Sequence, residues 1–263
     1  MRFGVCTWNG HNKDIEKMSI IKDKGFDYIE TDLNTLADMS DDEIDTLKRH
    51  IDSIGMKIET GNCFFPFGIT LVGPNADASF MEKYVPVTME RFKKLGGEIC
   101  VVGSGGARNV PEGYSRELAE EQFSDVMRYV SKQGEIYGLK LAIEPLNSGE
   151  TNFINTVGDC VDFCKKLNLK NVGAHADFFH VYKSGESLDA IENAGKLLFH
   201  AHIQRANDDQ RAPYEDTDIP WCEKWSAALK KCGYNERLSI EGGLYPDTET
   251  RLSEIWRFLD IFK

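Results

Sequence analysis

Short apolar runs of strand length alternate with longer stretches of helical periodicity from one end of the chain to the other. The runs that predict strands are Arg2–Trp8, Phe26–Leu33, Lys57–Phe64, Glu98–Ser104, Leu139–Pro145, Val172–Phe178, Leu198–Ile203 and Leu238–Glu241. A helical stretch follows each. Ser40-Asp41-Asp42-Glu43 is a capping box ahead of Ile44, Leu47 and Ile51, with Gly55 as the stop. Ser115 to Tyr137 carries Leu118, Phe123, Met127 and Val130 at helical spacing and ends at Gly138. Thr156 opens a helix with Val157, Val161, Cys164 and Leu167 on one face, and Trp221 to Cys232 stops at Gly233. The stretch from Thr248 onward turns Leu252, Ile255, Trp256 and Leu259 inward.

Eight strand-helix units in 263 residues predict an α/β chain folded as one (β/α)8 TIM barrel spanning residues 1–263. An open doubly wound sheet would have fewer strands and a glycine fingerprint after the first. Gly103-Ser104-Gly105-Gly106, after the fourth strand, is the nearest glycine-rich loop. It lacks the Lys-Ser/Thr of a phosphate loop and the spacing of a dinucleotide site, and reads as a turn that brings backbone close to the barrel mouth. No repeat, low-complexity tract or linker divides the chain.

Composition narrows the partners. Forty-three acidic against 31 basic side chains give a formal charge of −12, which repels phosphate backbones and anionic lipid, so nucleic acid and membrane are excluded. A chain of this length removes roughly 70–75% of its unfolded surface from water, so no disulfide or structural metal is needed to hold it. The seven cysteines, an odd number scattered among apolar neighbours, read as reduced and structural. Cys160 and Cys164 share a predicted helix, but no second pair completes a structural zinc set. Met1–Val5 runs into polar Asn9-Gly10-His11-Asn12 without a signal-peptide core, and nowhere do 18 apolar residues run together. The expectation is a soluble, cytoplasmic protein, with homo-oligomerisation left open.

In such barrels the chemistry stands at the C-terminal ends of the strands. Strand five ends in Glu144, strand six in Asp177 with His180 three residues on, strand seven carries His200 and His202, and strand eight ends in Glu241. A single strand-end glutamate is commonly an ion-pair partner. Three carboxylates and an imidazole converging on one mouth, however, repel and are costly to bury unless a divalent cation neutralises them. By ligand hardness, Glu144, Asp177, His202 and Glu241 suit Mn2+, Co2+ or Mg2+, with Zn2+ compatible. His200 lies on the same side of its strand but deeper, and reads as a satisfied core histidine, as does His175. Trp8, at the end of strand one, is the best candidate for an apolar pocket wall, with Phe64, Phe65, Phe67, Phe178 and Phe179 as further candidates. Arg108, Arg205 and Arg211 lie on mouth-side loops or strand ends.

The stretches Ile143-Glu144-Pro145-Leu146-Asn147, Glu150, Asn155-Thr156, Asp177-Phe178-Phe179-His180, His200-Ala201-His202-Ile203 and Ser239-Ile240-Glu241-Gly242, with Gly25–Glu30 at strand two, resemble the xylose isomerase-like TIM-barrel superfamily. Within it the resemblance is nearest to the ketose 3-epimerase and hydroxypyruvate isomerase branch. What it implies is a Mn2+- or Co2+-type ion on Glu144, Asp177, His202 and Glu241, with Glu144 and Glu241 exchanging a proton beside the carbonyl, one on each face, through an enediolate. It further implies substrate contacts from Glu150 and His180, and from Arg211 across a short insertion. The chemistry agrees: charge building on oxygen is stabilised by a metal, and a carboxylate nearby serves as base. The implied partner is a small sugar or polyhydroxy carbonyl compound.

Three rival functions share the barrel. A cyclic-polyol dehydratase would begin with the same proton abstraction. A zinc endonuclease of the same superfamily needs further histidines, where this chain has Glu30, Asn62-Cys63, Gly103-Ser104 and Asp209-Gln210-Arg211. A barrel that only binds sugar has no need of two facing bases.

Overall fold

In the computed structural model, which describes residues 1–7, 15–204, 215–242 and 248–263, eight parallel strands pair in sequence order and the last closes on the first. They are β1 (Arg2–Thr7), β2 (Tyr28–Asp32), β3 (Ile58–Asn62), β4 (Ile99–Val102), β5 (Lys140–Ile143), β6 (Val172–Asp177), β7 (Leu198–Ile203) and β8 (Arg237–Ile240). Each lies within or beside its predicted run. The helices are α1 (Ile15–Asp23), α2 (Leu33–Leu36), α3 (Asp41–Ser53), α4 (Met81–Leu95), α5 (Arg116–Tyr137), α6 (Val157–Leu167), α7 (Phe178–Ser184), α8 (Asp189–Ala194), α9 (Ile219–Cys232) and α10 (Thr248–Leu259). The molecule is a single-domain TIM barrel.

The punctuation acts as the sequence requires. Ser40 caps α3 in a reciprocal box with Glu43, Ser115 and Thr156 cap α5 and α6, and Gly138 and Gly233 end α5 and α9 in the left-handed conformation. Two inward assignments are corrected. Leu118 is 49% exposed because it sits in the first turn of α5, where Ala119 and Phe123 take the core face. In α10, Phe258 is buried while Trp256 is only half-buried, packing edge-on to Phe3 and tilted on Phe26.

Alternation along the strands sorts side chains between two environments. Cys100, Val102, Leu141, Ile143, Ala174, Leu238 and Ile240 face the helices in one large core. A separate small apolar group, Ile99, Val101 and Ala142 with Phe199, lies apart from it. Much of the remaining barrel interior is polar, with Tyr28, Glu30, Thr60, His175, His200 and Ser239 all buried. Barrel interiors are ordinarily filled by branched apolar residues. This one carries a polar column beneath its mouth. All seven cysteines are free thiols, and among the described residues no helix is long and apolar enough to cross a membrane.

Candidate metal centre

Strand register sets the centre. Asp177 at the end of β6 pairs with His202 of β7, and His202 pairs with Ser239, two residues before Glu241. Glu144 follows β5, its backbone N–H donating to the Val102 carbonyl. Ligand atoms of Glu144, Asp177, His202 and Glu241 all lie within 4.8 Å of one another, and all four residues are buried. That span is what donors on opposite sides of one cation require, at roughly 2.0–2.2 Å each. His202 Nδ1 is buried, faces Asp177 Oδ2 at 3.6 Å and Glu241 Oε2 at 3.4 Å, and makes no hydrogen bond. The set fits a divalent cation.

His202 is held from behind by Glu30 on β2, which the sequence reading passed over. Glu30 has no exposed surface, and its carboxylate accepts from His202 Nε2 and His200 Nε2, both at 2.8 Å, from Thr60 and from Ser239. Tyr28 Oη lies 2.8 Å from Ser239 Oγ, extending the chain toward the barrel floor. Nε2 is thereby committed to Glu30 and Nδ1 is turned to the mouth, the arrangement by which a second-layer carboxylate fixes a metal-binding histidine. Burial alone would raise the Glu30 carboxyl, but His202 and His200 outweigh it and hold it well below the usual range. Burial alone would lower the His202 imidazole, but Glu30, Cys6, Glu241 and Asp177 raise it well above its ordinary value. Cys6 and Glu30 also cluster with His202. Burial pushes the Cys6 thiol far up, however, which makes it a poor ligand.

Each carboxylate has its own support. Asp177 caps α7, one oxygen accepting from the N–H groups of Phe179 at 2.6 Å and His180 at 3.1 Å. Gln204, also unanticipated, donates to Asp177 Oδ2 at 2.7 Å and Glu241 Oε2 at 3.0 Å. Glu144 is anchored through its carbonyl, which accepts from Arg108, and a Cβ on Gly103 would stand 2.3 Å from its Oε2. The glycine turn therefore does bring backbone against the centre. Arg108 lies on the mouth-side loop after β4, as expected from sequence, but its guanidinium is buried behind Glu144, and burial lowers it to about 10.

His180 and half-exposed Glu150 stand beside the four clustered side chains. His180 Nδ1 accepts from the Asn147 N–H at 3.2 Å, which leaves the proton on Nε2, 4.0 Å from Glu144 Oε1. Asn147 Nδ2 donates to Glu150 Oε1 at 3.0 Å. A cavity of about 600 Å3 opens over Glu144, Glu241, His180 and Glu150 and is walled by the loops after β3 and β4. Phe65 and Phe67 line it, whereas Phe64 is fully buried and Phe178 packs on Trp225, so those two belong to the core. His200 is satisfied at Nε2 alone. His175, expected to be a satisfied core histidine, has no hydrogen bond at either nitrogen and lies 3.6 Å from Glu144 Oε1. Trp8 and Arg211, with His11 and Arg205, lie outside the described residues.

Known proteins share this architecture. The chain is 27% identical over 242 residues to D-psicose 3-epimerase of Ruminiclostridium cellulolyticum, covering 86% of this chain and 76% of that protein. The crystal structure of the 3-keto-D-glucoside 4-epimerase of E. coli superposes with a TM-score of 0.81 at 20% identity, covering 99% of each chain. That of the IOLI protein with a bound zinc atom superposes with a TM-score of 0.75 at 20% identity, covering 100% of this chain and 98% of the other. Residues 18–260 match the family described as xylose isomerase-like TIM barrel, and to that family the chain belongs.

Proposed function

We propose that the protein is an isomerase-class enzyme, a keto-sugar epimerase or isomerase that exchanges the proton on the carbon beside a carbonyl, with Glu144 and Glu241 as the bases. One observation carries this reading: the two glutamates belong to a four-ligand cluster spanning 4.8 Å and also line the same cavity. The epimerases among its relatives support the class, and the zinc-binding relative supports a divalent ion. Glu144, Asp177, His202 and Glu241 would hold the ion, for which the carboxylate-rich donor set favours Mn2+ or Co2+. When bound, it supplies Lewis-acid stabilisation of negative charge on substrate oxygen.

The protein's own groups supply the rest. A carboxylate held against the acidic C–H takes the proton, and a second carboxylate from a different strand can return one to the other face. That inverts the carbon; one carboxylate that instead carries the proton along a single face to the neighbouring carbon, the former carbonyl carbon, gives aldose-ketose exchange. His180, with its proton on Nε2, donates to a substrate oxygen, and Glu150 accepts from a hydroxyl. The backing of Asp177 by two N–H groups and of His202 by Glu30 keeps these groups from reorganising as charge moves.

Incubation with a panel of ketoses, aldoses and inososes in D2O, read by mass, tests the reading. Deuterium incorporation is expected with the wild type and its loss in Glu144→Gln and Glu241→Gln. Normal exchange in both variants, or after exhaustive chelation, would remove the mechanism.

A further inference from the structure

The cavity over the metal centre continues outward along the loop after β3, where its side chains are Phe65, Pro66, Phe67 and Ile69, with Leu146 from the segment after β5. Its volume of about 600 Å3 falls among pockets that take drug-sized ligands, whereas a hexose has only about a dozen non-hydrogen atoms. A cavity of that size has room for more than the reacting sugar.

That outer wall is apolar and exposed. Phe67 is 83% exposed, the most exposed large hydrophobic side chain among the described residues. It is also carried on a pinned loop. The Phe65 N–H donates to Ser104 Oγ at 3.1 Å, the Leu71 N–H to the Ala107 carbonyl at 2.7 Å, and Gly73 exchanges two hydrogen bonds with Gln122 of α5. Phe65 packs edge-on against Phe64 and Phe80. Cys63 and Ser104, which lead into the two loops and line the cavity, both have left-handed backbones, with φ of 48° and 36°. Non-glycine residues hold that conformation only where their surroundings impose it, and such strain gathers at ligand clamps. A ring kept in water by a fixed loop gains by contact with an apolar face brought by the ligand.

We propose that Phe65 to Ile69, with Leu146, form an outer subsite for an apolar or aromatic substituent carried by the reacting sugar. The substrate class is then a keto-glycoside with such an aglycone, rather than a free ketose. This rests on the keto-sugar reading of the centre, and the test separates the two.

Full-length protein supplied with Mn2+ is titrated by calorimetry with methyl and phenyl β-D-glucoside, which lack the carbonyl and are not turned over. The phenyl compound is expected to bind about tenfold more tightly than the methyl one. Phe67→Ala, at an exposed position that does not threaten folding, is expected to shrink that ratio to about twofold, while Phe67→Tyr retains it. Equal affinities in the wild type, no detectable binding of the phenyl compound at millimolar concentration, or a ratio unchanged in Phe67→Ala overturns the subsite. Exchange of a keto-sugar proton in D2O is read on the same preparation. Exchange without a phenyl preference removes the subsite and leaves the epimerase reading. A phenyl preference lost in Phe67→Ala, but with no exchange on any keto sugar, supports the subsite and removes the epimerase reading.

Discussion

Glu30 is not one of the four side chains that could hold the ion, yet it sets which nitrogen of His202 reaches the mouth. Its carboxylate accepts a hydrogen bond from His202 Nε2 at 2.8 Å and is itself held by Thr60, Ser239 and His200. Replacing it with Gln removes the charge that makes His202 a strong donor. Mn2+ affinity measured by calorimetry should fall about 10- to 100-fold in Glu30→Gln, and by less in Ser239→Ala. Unchanged affinity would show that His202 is oriented by packing alone. The same residue fixes a pH dependence. In the metal-free chain burial lowers the His202 imidazole, but its acidic neighbours raise it well above 6.5, so a cation must displace a proton from Nδ1. Because only the bound state excludes that proton, affinity rises with pH from the ordinary imidazole range upward, by at most about tenfold per unit, and flattens above the raised folded value. Affinity independent of pH in that window would mean that His202 binds no ion.

Two glycines in neighbouring structural roles should respond in opposite ways, since what a new Cβ meets differs between elements. At Gly4 in β1 a Cβ would stand 2.1 Å from the Tyr28 ring, which is held by Ser239 and has the Arg2 and Arg237 guanidinium groups against it. Gly4→Ala should cost about 2–3 kcal/mol of stability in urea unfolding, since the ring has no room to retreat. At Gly103, after β4, the nearest atom is the movable Glu144 carboxylate. Gly103→Ala should cost under about 1 kcal/mol but displace a ligand, weakening Mn2+ binding by about tenfold or more. Element by element, the barrel and the convergence of Glu144, Asp177, His202 and Glu241 were legible in the sequence because strand alternation and the end-of-strand position are local properties. Gln204 was equally legible, standing two residues beyond His202 on the same side, and was overlooked because it does not ionise. Glu30 was not, since its partners lie about 170 residues away and meet it only when β8 closes on β1. The tautomer of His180 likewise depends on Asn147, which lies 33 residues earlier in the chain. Leu118 misled because helical spacing does not tell where along the helix the sheet ends.

Across the whole molecule the polar column joins two charged ends of different character. At the floor, Glu59 is sandwiched by Arg2 and Arg237, and Arg237 also reaches Glu98 at 2.7 Å. That end is charge-balanced within the protein. At the mouth, three buried carboxylates meet one imidazole, and on the proposed reading a bound cation would complete the balance. A cation at about 100 times its Kd should therefore stabilise the fold by about 2.7 kcal/mol. For a chain of this size that corresponds to a rise in Tm of about 5–10 °C, measured by calorimetry with Mn2+ and reversed by EDTA. Glu59→Gln removes the carboxylate that both Arg2 and Arg237 hold at the floor and should lower Tm with and without metal, at a cost of about 2–4 kcal/mol of stability. The metal-induced rise should nonetheless stay the same, because sites that share no partner contribute independently. A rise that shrinks in Glu59→Gln would show that the column from Arg237 through Tyr28, Ser239 and Glu30 transmits strain from the floor to His202, and that the two ends of the barrel act as one unit.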